Sequence, residues 1–156
     1  MSSIDTQPLE NTSGTVRTMP VALATAVGAI ALNALGIFAD GSDGAEHSPA
    51  EFWVISGVIV LATGVVFGLV VPRYAGRSAG VGLALATAGL LLLVPVFWSG
   101  LPAVLGSGGV VLGLASRRTR RSGAATAAVA IGTLALIGYV AIYLLDWMAT
   151  NNIAPM

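Results

Sequence analysis

The sequence predicts an all-α integral membrane protein: a five-transmembrane-helix bundle, N-terminus inside and C-terminus outside, with short loops throughout. Three observations predict it. Only 9% of the 156 residues are charged and 56% are hydrophobic, whereas a soluble domain carries about 25% charged residues because it must face water. Several apolar runs reach the ~20 residues that a helix needs to cross a hydrocarbon core of about 30 Å. Finally, all seven basic residues are arginine, and they fall in alternate segments between those runs.

The elements follow in order. Residues 1–18 are rich in Ser, Thr and Gln, lack a hydrophobic pattern, and read as a disordered cytoplasmic tail. A secretory signal peptide does not fit, because a basic leader and a small-x-small site before Asp40 are both missing. The transmembrane domain is placed at 19–148. Its first span, about 20–39, opens on Pro20, well suited to a first helical turn. The second, about 52–71, is closed by Pro72. The third is expected at 79–97, the fourth at 101–116 and the fifth at 124–145, leaving 149–156 as a short external tail. The first, second, third and fifth contain no Asp, Glu, Lys, Arg or His.

The fourth run needs a separate argument. Leu101–Ala115 has only fifteen residues, a length at which hydropathy leaves a span and a re-entrant segment both open. Arginine placement decides between them, since basic residues gather in cytoplasmic loops. With five spans, Arg17, Arg73, Arg77, Arg117, Arg118, Arg120 and Arg121 share one side. With four, the Arg73/Arg77 pair and the 117–121 cluster would face opposite sides. Aromatic residues agree with five: Trp53, Trp98 and Trp147 fall at outer ends of spans and Tyr74 at an inner end, where amphipathic rings prefer to sit.

Several function classes are excluded by composition. There is no cysteine, so disulfides, thiolate nucleophiles and Cys-ligated metals are absent. One histidine, His47, cannot build a bis-histidine haem or a multi-histidine cage. The spans lack the buried ionisable groups that commonly carry proton or ion pathways. The external segment between the first two spans holds Asp40, Asp43, Glu46, His47 and Glu51. Of these, Asp40, Asp43, Glu46 and His47 are weak metal-ligand candidates. Their spacing does not match an EF-hand, and a solvated acidic turn accounts for them more simply. No catalytic residue and no cofactor are expected, nor is nucleic acid as a partner, because the arginine cluster brings no groove-reading element.

What remains is packing and polarity. In lipid, helices associate through close backbone approach at small residues. Gly57, Gly64 and Gly68 share one helical face, Gly109 and Gly113 form a second GxxxG pair, and Ala124, Ala128 and Gly132 make a third stripe. These are expected to mark helix packing, chiefly within the bundle. Asn33 is the most polar side chain inside a span; an amide in hydrocarbon costs roughly a kcal/mol or more unless partnered. A hydrogen bond to a neighbouring helix is its simplest role. Arg73, Arg77, Arg117, Arg118, Arg120 and Arg121 are expected to be topogenic and to meet lipid head groups.

The segment Ala79–Leu136 carries Val94-Pro95 and, further on, Val111-Leu112-Gly113-Leu114-Ala115-Ser116-Arg117-Arg118. It resembles the small actinobacterial membrane proteins of the DUF4190 type. In those, a glycine-rich hydrophobic hairpin with prolines at its turn ends in a Gly-Leu-Ala-Ser-Arg-Arg-like boundary before another span. The resemblance covers somewhat over a third of the chain and implies a multi-pass protein of the bacterial inner membrane. That family has no established activity, so no functional residue is carried over.

The functional expectation is a non-enzymatic accessory or scaffold subunit of a larger bacterial cell-membrane complex. Membrane lipids and other integral membrane subunits are its expected partners, and a homo-oligomer is a further expected state. The alternative is a small-solute permeation or transport protein acting as a homo-oligomer, with Asn33, Ser56, Thr63 and Ser107 as its polar contacts.

Overall fold

The computed structural model describes residues 18–38, 49–119 and 122–150. Every regular element among them is helical: α1 (Thr18–Phe38), α2 (Pro49–Val65), a π-helical turn (Val66–Val70), α3 (Val71–Tyr74), α4 (Ala79–Leu91), a 3-10 turn (Phe97–Ser99), α5 (Leu101–Thr119) and α6 (Gly123–Thr150). Three helical stretches are long and apolar enough to cross a membrane: Thr18–Phe38, Ala50–Tyr74 and Gly123–Ala149. The expected disordered tail at 1–18 and external tail at 149–156 lie almost wholly outside the described residues.

Pro72 does not close the second apolar run, contrary to the sequence expectation. Proline lacks an N–H and its ring crowds the carbonyl four residues back, so regular α pairing cannot run through it. The chain widens by one turn instead. Val71 donates its N–H to Val66 O, five residues earlier, and Ala75 N–H resumes the α spacing by bonding Val71 O at 2.9 Å. The helix therefore continues to Tyr74 before turning back at Gly76, whose φ of 72° suits glycine.

The third run behaves in the opposite way. A helix expected to reach residue 97 ends at Leu91. Pro95 disfavours the α conformation at the residue before it, and residues 92–96 form successive turns. Their backbone groups are satisfied locally: Leu93 N–H bonds Leu90 O at 3.2 Å and Val96 N–H bonds Leu92 O at 3.1 Å. Ser99 Oγ donates to Val96 O at 2.7 Å and accepts from Leu101 N at 3.3 Å. Gly100, at φ 71°, then starts α5.

α5 is the hub of the bundle. Ten of its nineteen residues are buried, although it is the shortest of the five apolar runs in the sequence. α4 and α6 flank it and also touch each other, while α1 and α2 form a second, looser pair beside them. The α4–α5–α6 contact rests on small residues. A methyl group on Gly109 would stand 2.8 Å from Ala86 N, and one on Gly132 would stand 2.6 Å from Gly106 O. Those separations leave no room for a Cβ, so backbones meet directly and gain dispersion contacts along their length. By contrast α1 buries only Ala29 and Asn33, and most of its surface stays outside the bundle.

Candidate functional site

The two ends of the bundle differ in chemistry. At one end, the turn after α3 is tied to the end of α5: Thr119 Oγ1 lies 3.1 Å from Gly76 O and 3.1 Å from Ser116 O. This brings Arg73, Arg77, Arg117 and Arg118 to a common end, all of them exposed. Arg120 and Arg121 lie outside the described residues.

At the other end, Tyr143 of α6 donates its hydroxyl to Trp98 O at 3.3 Å. Its ring packs edge-on against Phe97, with centroids 5.6 Å apart, and against Tyr139 at 5.0 Å. Beside them a cleft of about 610 Å³ opens between α1, the start of α2, the 3-10 turn and the end of α6. Asn33, Glu51, Trp98, Tyr143 and Asp146 line it. Trp53 and Trp147 are sequence neighbours of this cleft, so the three tryptophans and the two described carboxylates belong to the end opposite the arginines.

Asn33 is 3% exposed and its Nδ2 is buried without a hydrogen-bond partner. The expected bond to a neighbouring helix is therefore not made by that donor. Ser56 and Thr63 of α2 also hold buried hydroxyls without partners. Ser107 Oγ bonds Val104 O at 3.0 Å within its own helix. All four polar residues named for a lumen are thus buried inside one chain.

The glycine stripes part company. Gly109, Gly113, Ala128 and Gly132 come together at the α5 interfaces: a methyl on Gly113 would lie 3.1 Å from Ala128 Cβ. Gly57, Gly64 and Gly68 meet nothing within 4 Å and are exposed. Gly57 and Gly64 lie on α2 and Gly68 in the π-helical turn after it; beside Gly57, the residues Ile30, Trp53, Ser56 and Leu61 border an apolar groove of about 600 Å³. Asp40, Asp43, Glu46 and His47 lie outside the described residues.

Glu51, Trp98, Tyr143 and Asp146 escaped sequence reasoning as a group, because they come from three separate segments. The close-packed Gly82, Gly89, Gly106 and Gly108 were also missed. Their signal was present in the Gly82, Ala86 and Gly89 spacing of α4. Compared with known protein families, curated proteins and solved structures, the chain has no match.

Proposed function

We propose that this chain is a non-catalytic accessory or scaffold subunit of a larger bacterial cell-membrane assembly, crossing the membrane five times with its N-terminus inside. The carrying observation is the empty glycine face of α2. Gly82, Gly89, Gly106, Gly109, Gly113 and Gly132 of α4, α5 and α6 each meet another helix of this chain, yet Gly57, Gly64 and Gly68 meet nothing within 4 Å, and Gly57 borders an open apolar groove. Small-residue faces let helix backbones approach closely in lipid, so a helix of another subunit is the natural occupant.

The five-span arrangement draws support from the separation of charge. Arg73, Arg77, Arg117 and Arg118 share one end, and Glu51 and Asp146 share the other with Trp98. The first end suits the cytoplasmic face and the second the external face. In this arrangement α4 and α5 are the two inner spans, supported by their neighbours rather than by their own length. The likeness of Ala79–Leu136 to DUF4190-type proteins is compatible with it.

The test is gentle extraction of tagged protein from its native membrane, followed by native gel analysis and mass spectrometry. Fixed, stoichiometric companions that are lost with Gly64→Leu support the subunit reading. Migration as a lone monomer overturns it, and a homo-oligomer transfers the proposal to permeation, with solute flux in proteoliposomes as the next measurement.

A further inference from the structure

The cleft between α1, α2, the 3-10 turn and α6 has features that neither scaffolding nor helix packing requires. Its volume of about 610 Å³ falls in the range of small-ligand sites, which combine apolar walls with a few placed polar groups. Trp98 and Tyr143 form an aromatic wall, and Glu51 and Asp146 contribute two carboxylates. The described arginines are all at the opposite end. Asn33 lies five residues inside the α1 terminus at Phe38, about 7.5 Å along the helix axis. It is therefore the deep polar residue of the cleft, and it carries a buried donor without a partner. Gly36, one turn nearer the mouth, keeps the passage open: a methyl there would stand 3.4 Å from the Tyr143 ring.

We propose that this cleft binds one membrane lipid with an ammonium head group, its ammonium beside Glu51 and Asp146 and an ester carbonyl accepting from Asn33. Carboxylates attract a cation, and an aromatic face adds a cation–π contribution. A carbonyl oxygen answers the unused amide donor, and the apolar walls suit the upper acyl chain. An anionic head group at the same place meets the charges of Glu51 and Asp146 and is disfavoured. The inference stands whether or not the chain is a subunit of a larger assembly.

Trp98 is the built-in reporter. The full chain carrying Trp53→Phe and Trp147→Phe is placed in nanodiscs of an uncharged lipid. It is then titrated with phosphatidylcholine or phosphatidylglycerol bearing the same nitroxide near the top of the acyl chain. The expected result is saturable quenching of Trp98, with the choline lipid saturating at about fivefold lower mole fraction, the scale of two partly exposed charge contacts. Glu51→Gln with Asp146→Asn should equalise the two lipids, Asn33→Leu should weaken both, and Gly36→Leu should abolish the saturable part. Should Asn33→Leu fail to fold, the Gly36 and carboxylate variants carry the test. Quenching that rises linearly and equally for both lipids, or that ignores Gly36→Leu in folded protein, overturns the proposal.

Discussion

Gly132 of α6 and Gly106 of α5 face each other so closely that a methyl on Gly132 would stand 2.6 Å from the Gly106 carbonyl oxygen. The obstacle is backbone, which cannot rotate aside as a side chain can. Leucine at this position must push the helices apart and break the contacts beside it. Gly132→Leu is expected to destabilise the folded chain by about 1–3 kcal/mol or more, read as a lowered midpoint of thermal unfolding in detergent.

Gly64 is the matched control. A side chain there meets nothing within 4 Å, so Gly64→Leu should leave the unfolding midpoint of the isolated chain unchanged or slightly raised, within about 0.5 kcal/mol. A large loss of stability would mean that the outer face of α2 is packed within the chain. The contrast between the two leucine variants separates internal packing from a face available to another subunit.

Tyr143→Phe keeps the ring that packs on Phe97 and Tyr139 but removes the hydroxyl that bonds Trp98 O. One hydrogen bond contributes about 0.5–1.5 kcal/mol net. The variant should therefore unfold at a modestly lower temperature. Faster amide exchange confined to residues 97–101 would localise the effect to the junction between α4 and α5.

The proposed orientation is open to direct test because the chain has no native cysteine. Arg77→Cys, at the arginine end, should react with a membrane-impermeant maleimide only after the cells are opened. Glu51→Cys, at the opposite end, should react in intact cells. The reverse pattern overturns the N-inside arrangement, and labelling of both in intact cells overturns the separation of the two ends by a membrane.

What the residues themselves determine here is solvent and polarity. Few charges and long apolar runs commit the chain to helices, because in hydrocarbon each backbone amide must be satisfied within its own segment. The grouping of arginines between alternate runs is likewise legible without coordinates. Asn33 was visible as an outlier for the same reason: a lone amide in an apolar run stands out against its neighbours.

Tertiary structure decided the rest, because partner identity is not encoded in a local spacing. Gly64-x-x-x-Gly68 and Gly109-x-x-x-Gly113 read alike, yet the first faces open space and the second is pressed against α4 and α6. α5 looked like the least convincing span and is the most buried helix, since close backbone contact rather than side-chain apolarity holds it. Proline gave two outcomes: at Pro72 the helix absorbed the missing donor by widening one turn, and before Pro95 it stopped. The cleft lay beyond local reading altogether, since it exists only where the ends of four distant segments meet around Tyr143.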